Sequence, residues 1–242
     1  QSVNYITSHD GFTLYDLVSY NSKQNWANGH NNTDGTNDYS WNSGWEGGDA
    51  PPEVEQLRKQ QAKNLFALLM VSNGSPMFRM GDEFLQTQGG NNNPYNQDNE
   101  TTWLDWDRLE THQDFFRFVK LMIAFRKRHS TVCRSHFWRE DVKWYGVTRY
   151  VDLTPAAKTL AFCLHGQSEA DVDLYVMINA AANTCIFGIH EGTPGEWQRV
   201  VDTALPSPED VLEPESLKPV SAATYDVQAR SVVILIRQKR IL

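Results

Sequence analysis

The chain has 242 residues, enough for one large or two ordinary domains, and 40% hydrophobic with 21% charged residues is an ordinary globular composition. Its net charge of −8 and pI of about 5.3 argue against nucleic acid and anionic membranes as partners and suit a neutral substrate such as a polysaccharide. The apolar runs at 65–71 and 232–236 are far too short to span a bilayer.

The opening QSVNYITSHD has neither a basic n-region nor an apolar h-region, so no signal peptide is expected, and the missing initiator Met hints at a fragment or a processed chain. Residues 3–8 (VNYITS) read as a strand that runs into the polar cluster His9-Asp10-Gly11, and 12–20 have spacing compatible with a short helix. A long polar stretch, 21–50, follows with seven Asn and with Trp26, Tyr39, Trp41 and Trp45 interleaved. Loops of that length are usually functional or disordered, and the aromatics speak against disorder. Pro51-Pro52 with Glu53 and Glu55 starts a helix that runs to Val71, where Asn73-Gly74 stops it. Residues 76–80 read as a second strand, ending at Gly81-Asp82-Glu83. A second polar loop spans 88–99, and Phe115, Phe118, Val119, Met122 and Phe125 predict an amphipathic helix whose basic end, Arg126 to His129, suits the negative end of the helix dipole.

Two strands linked by helices, each ending in polar residues, is the pattern of βα units, in which chemistry sits at the C-terminal strand ends. After about residue 132 the apolar period becomes two. Strands are expected at 142–149, 159–164, 172–178, 183–189, 196–201 and 229–236, an antiparallel sandwich. Cys133, Cys163 and Cys185 are odd in number and lack CxxC spacing, so buried reduced thiols and a reducing compartment are expected. His30, His112, His129, His136, His165 and His190 are scattered without metal-ligand spacing, and no nucleotide-binding glycine motif occurs; neither metal nor cofactor is expected.

Four ordered blocks carry a family resemblance. VNYITSHDGFTL (3–14) and GSPMFRMGDEF (74–84) resemble the strand-7 and strand-8 motifs of the α-amylase glycoside hydrolases. The Asn-rich stretch 19–48, together with GGNNNPYNQDNETTWLDW (89–106), is similar to the isoamylase and glycogen-debranching branch. LYVMINA, WQRVVDTALPSPED and ARSVVILI resemble that branch's C-terminal β-domain. Asn96 stands where relatives often have Cys.

The resemblance implies an α/β plus all-β chain. Residues 1–131 would be the C-terminal segment of a TIM-type (β/α)8 barrel, strands 7–8 with their helices, and 132–242 an antiparallel β-sandwich domain. It also implies a parent enzyme that cleaves α-1,6 branch points of glycogen or amylopectin with retention, working in the cytoplasm, or in the plastid if the source is a plant or alga. The family's nucleophilic Asp and acid/base Glu lie upstream of the strand-7 motif, which begins here at residue 3. The chain alone is therefore expected to be inactive, and the N-terminal remainder of the same protein is an implied partner. By the same resemblance Asp10 binds the 2- and 3-hydroxyls of the distorted sugar as transition-state stabiliser, and His9 donates to a neighbouring hydroxyl.

Read from the residues alone, Asp10 is equally a cap for the helix that follows. Asn91, Asn92, Asn93, Tyr95 and Asp98 bring neutral amides and polar groups suited to sugar hydroxyls, with hydrogen bonding inside the loop as the competing reading. Trp41 and Trp45 are stacking platforms or core residues. Asp82 and Glu83 read as structural. A glucan-binding scaffold and an α-1,4-glucan hydrolase or transglycosylase are the alternative functions. The open strand edges of the first half predict association with another chain, itself included.

Overall fold

A computed structural model describes residues 2–37 and 39–238. The chain divides into two compact units, one formed by Val3–Leu69 with Pro76–Val119 and the other by Met70–Ser75 with the described residues from Lys120 onward. The division departs from the boundary expected at 131/132 because one long helix supplies apolar residues to both units.

In the first unit β1 (Val3–Tyr5) pairs with β2 (Ser75–Met77) in a two-stranded sheet, both strands shorter than the sequence predicts. Helix α1 (Leu14–Leu17) is a single turn. Helix α2 (Pro52–Val71) starts with proline in its first turn and Glu53 and Glu55 at the positive dipole end, as expected. Helix α3 (Asp107–Thr111) and the first half of α4 (Gln113–Arg128) complete the unit. Phe12, Leu14, Phe66, Phe84, Phe115 and Phe118 are its buried apolar residues, with Phe78 edge-on to Phe66 at 5.3 Å. Val3, Tyr5 and Met77 stand exposed on the strands. The described residues hold two paired strands and their helices, and not a closed barrel.

The second unit is β-rich. After the single turn α5 (Ser130–Cys133) come β3 (Val142–Tyr145), β4 (Thr159–Leu164), β5 (Asp173–Asn179), β6 (Cys185–Gly188), β7 (Gln198–Asp202), β8 (Lys218–Pro219), β9 (Thr224–Val227) and β10 (Ser231–Arg237). The six-stranded sheet has the order β3-β4-β5-β10-β7-β8, and β6 pairs with β9 in a second sheet; the pairings are antiparallel. The six expected strands match β3–β7 and β10; β8 and β9 were not expected.

One face of the large sheet, with Ala161, Cys163, Tyr175, Met177, Val233 and Leu235, packs against Phe187 and Val227 of the small sheet and against Trp197 in a single core. Each side chain of that size contributes about 1.5–3 kcal/mol when fully buried. The other face, with Leu174, Val176 and Ile234, is buried too, and Leu121, Ala124 and Phe125 of α4 share a hollow with Val200 and Ile236. Central strands covered on both sides read as continuous apolar runs. At the end of that ladder Asp173 and Arg237 are cross-strand partners and form an ion pair of 2.7 Å.

The last turn of α4 is basic, with Arg126, Lys127 and Arg128, as expected; Arg126 is buried there, and its guanidinium also donates to the carbonyls of Met70, Ser72 and Gly74. One expectation fails in this unit. Of the three thiols, all free, only Cys163 is buried; Cys133 is exposed because it lies on the short α5 turn and not on a core-facing strand.

Candidate functional site

The turn after β1 presents His9 and Asp10. The His9 side chain is 91% exposed and that of Asp10 68%, with His9 Nε2 3.4 Å from Asp10 Oδ2. Gly11 adopts φ 96°, in the left-handed region that costs glycine least, and turns the chain back. Helix α1 is capped by Thr13, whose hydroxyl accepts from the Asp16 amide at 3.0 Å. Asp10 is thus released from the capping role that its position before a helix allowed.

The turn is tied to the second polar loop. The Gly11 N–H donates to the Asn92 carbonyl at 2.9 Å, and the Gln24 N–H to the Gly90 carbonyl at 2.7 Å. Asn92 and Asn91 are buried, and their amides are spent on the 21–50 loop. Asn92 exchanges bonds with Asn25 and donates to the Thr36 carbonyl, while Asn91 pairs with Asn28. Asn93 donates to Asp34 at 2.9 Å. Donors from Asn28 and Asn93 hold the Asp34 carboxyl below the usual carboxylate range, the Asn28 bond being the larger effect. Asn91, Asn92 and Asn93 therefore stitch two loops together, the competing reading of the sequence.

The other candidates remain at the surface. Tyr95 is 68% exposed, and its hydroxyl lies 2.9 Å from His30 Nε2. Asp98 accepts from the Trp103 indole. Trp41 and Trp45 are 40% and 46% exposed. Beside the Asp10 turn is a hollow of about 400 Å³ lined by Phe12, Asn21, Ser22, Lys23, Thr36 and Asn37, a set of neutral hydrogen-bonding groups with one apolar ring and one ammonium.

Three buried charged residues frame these loops; of them the sequence marks only Asp82, as structural. Arg58 of α2 is fully buried; it pairs with Glu55 at 2.7 Å and donates to the carbonyls of Ser19, Asn42 and Trp45. Asp16 accepts from the Thr87 hydroxyl and the Gln88 N–H, and burial raises its carboxyl above the usual range. Asp82 accepts from the Thr7 hydroxyl and the Leu14 N–H, and burial pushes it up to about 6. The available signal was a charged residue on the apolar side of a helix or directly after a strand. Removing one partner from a buried charge cluster costs about 3–5 kcal/mol. The Arg58→Met variant is expected to lose about 3 kcal/mol of unfolding free energy, read as a lower urea midpoint at unchanged slope; an unchanged midpoint would remove Arg58 from this role.

The histidines are less scattered in space than in sequence. Cys163, His165 and Glu191 bring ligand atoms within 4.8 Å of one another. Yet Lys143 Nζ sits 3.4 Å from Glu191 Oε1, the Tyr145 hydroxyl donates to the same oxygen, and burial pushes the Cys163 thiol up so that it keeps its proton. Glu191 is thus already engaged by Lys143 and Tyr145.

The family model "Isoamylase 1-3, C-terminal" matches residues 143–234. Isoamylase 1 of Arabidopsis thaliana is 40% identical over 88% of the chain and 28% of its own length. The glycogen debranching enzyme of Dickeya chrysanthemi is 34% identical over 98% of the chain and 34% of its own length. The chain belongs to the isoamylase and glycogen-debranching family.

It spans about a third of these relatives' length. Among solved structures, the pullulanase of Bacillus acidopullulyticus aligns with 98% of this isoamylase-family chain and 24% of its own, at a TM-score of 0.67 and 21% identity, which is a likeness of fold. A pullulanase of Paenibacillus barengoltzii, solved with maltohexaose and α-cyclodextrin, aligns at a TM-score of 0.61 and 26% identity over 99% of the chain and 30% of its own. The matched family model falls wholly within the β-rich unit.

Proposed function

We propose that the chain is the C-terminal portion of a debranching α-1,6-glucosidase, acting on glycogen or a related branched α-glucan with retention. In this reading residues 1–131 complete a (β/α)8 barrel with its last two strands, and 132–242 form the β-sandwich that follows it. Asp10 is the carboxylate that grips the distorted sugar ring, and His9 donates beside it. The observation that carries the reading is that Asp10, free of capping and mostly exposed, projects from a turn fastened to the 88–93 loop, with Phe12, two residues on, lining a polar hollow. A carboxylate that bonds the transition state more tightly than the ground state accelerates the reaction; one that bonds both equally does not.

Trp41, Trp45, Tyr95 and Asp98 are exposed enough to meet the glucan, whereas Asn91, Asn92 and Asn93 hold the loops that form the wall. The exposed Val3, Tyr5 and Met77 are where neighbouring strands from the rest of the protein, or a second copy, would cover the small sheet. No helix among the described residues is long and apolar enough to cross a membrane. With three free thiols a reducing compartment, cytoplasm or plastid, suits the chain.

Products from three glucans, pullulan, amylose and glycogen, test the substrate class. The full-length protein containing this chain is expected to release linear chains from glycogen and to leave amylose uncut. Cleavage of amylose would favour an α-1,4 hydrolase or transglycosylase. Binding without cleavage of any of the three would favour the scaffold, which the exposed tryptophans alone would also serve.

A further inference from the structure

We propose that Asp82 and Asp16 are reciprocal positioning residues that fix the turn carrying Asp10, each buried carboxylate belonging to one segment and gripping donors from the other.

The two segments are 7–16 and 79–93. From the second, Asp82 receives the Thr7 hydroxyl on Oδ2 and the Leu14 N–H on Oδ1 at 2.9 Å. Those donors stand on either side of Asp10, so one carboxylate closes the base of the turn. From the first, Asp16 receives the Thr87 hydroxyl on Oδ1 and the Gln88 N–H on Oδ2 at 2.8 Å. Between them the Gly11 N–H meets the Asn92 carbonyl. The side chains of His9 and Asp10 are mostly exposed, and the bond from the Ser8 hydroxyl to the Asp10 carbonyl at 2.8 Å is local to the turn. The position of Asp10 is therefore set by the anchors at Thr7, Gly11 and Leu14.

Stability alone does not account for these acids. Asp82 is 1% exposed and Asp16 fully buried; the Thr7 and Leu14 donors favour the charged form of Asp82 more than the Arg79 charge does. A buried carboxylate compensated mainly by N–H and O–H donors carries a desolvation cost that an apolar residue of similar size would avoid. What a carboxylate supplies and an apolar residue does not is two acceptor oxygens with fixed geometry. Burial raises both acids, consistent with a cost borne where geometry matters.

The inference rests on the proposed role of Asp10, and its test separates the two. In the 242-residue chain, Asp82→Asn replaces one acceptor oxygen with a donor. Hydrogen exchange at the Leu14 and Gly11 amides is expected to speed up at least about tenfold, while Val176 and Ile234 in the central strands stay protected. Thr7→Val, which deletes one donor with little change of shape, is expected to speed Gly11 exchange by a smaller factor and serves if Asp82→Asn fails to fold. In the full-length protein Asp82→Asn is expected to lower kcat about 10- to 100-fold with KM within about threefold, the signature of a misplaced group that acts in the transition state. Unchanged exchange at Gly11 and Leu14 in the variants that fold overturns the clamp. So does faster exchange with wild-type kcat, provided that Asp10→Asn abolishes turnover. If Asp10→Asn leaves kcat intact, the Asp10 assignment fails by itself, and exchange alone decides the clamp.

Discussion

Replacing Asp10 by Asn in the full-length protein is expected to lower kcat by about 10²- to 10³-fold, the scale set by removing one preorganised electrostatic contact to a transition state. KM should change little, because the lost contact strengthens only as the ring distorts. The substitution keeps the shape of the side chain and removes its charge. Asp10 makes no cap, its side chain is 68% exposed with His9 Nε2 3.4 Å away, and the Ser8 hydroxyl donates to its carbonyl, a bond the substitution leaves in place. The thermal midpoint should therefore stay where it was, within the roughly 0.5 kcal/mol typical of surface changes. A loss of stability without loss of kcat would turn Asp10 into a turn-forming residue.

The 242-residue chain by itself should hydrolyse no glucan. Retaining cleavage uses two carboxylates about 5 Å apart, one as nucleophile and one as acid/base. The acids nearest the Asp10 turn are committed elsewhere. Asp82 is buried under the Thr7 hydroxyl and the Leu14 amide, and Glu83 accepts from the Gly81 N–H at 2.8 Å. A reducing-sugar assay on glycogen with the chain alone, set against the full-length protein, checks this. Turnover by the lone chain at a comparable rate would mean that nucleophile and acid lie within these residues and that the assignment of Asp10 is wrong.

The β-rich unit was nearly complete in the sequence. Strand β4 was expected at its observed bounds, and β5 and β10 within a residue or two, because long β-branched and aromatic runs leave the chain no other way to bury them. Strands β8 and β9 escaped because each is short and its residues are largely exposed, so neither makes an apolar run. In the first unit α2 was plain from its proline and acidic start, whereas β1 and β2 were overextended: Thr7 and Arg79 look like strand residues but bond to Asp82 instead.

For the site, the motif around residues 9 and 10 was legible as a resemblance, and the loops as long Asn-rich stretches. The choice between sugar contact and loop bonding was not. An amide side chain donates and accepts equally well in either setting, and only the packing of two loops 60 and more residues apart could turn Asn91 and Asn92 inward. The roles of Arg58 and Asp16 were hidden for the same reason, and of Asp82 only a structural role was legible: a buried charge is recognised by what surrounds it, and partners such as Thr7 and Leu14 are distant in sequence. Amino-acid order thus determined the elements, their apolar faces and the family, since local propensity and periodicity act over a few residues. Which polar groups are exhausted inside the structure and which, like Asp10, are left exposed was decided by tertiary contact, because hydrogen bonds are satisfied by whatever the fold brings within about 3 Å.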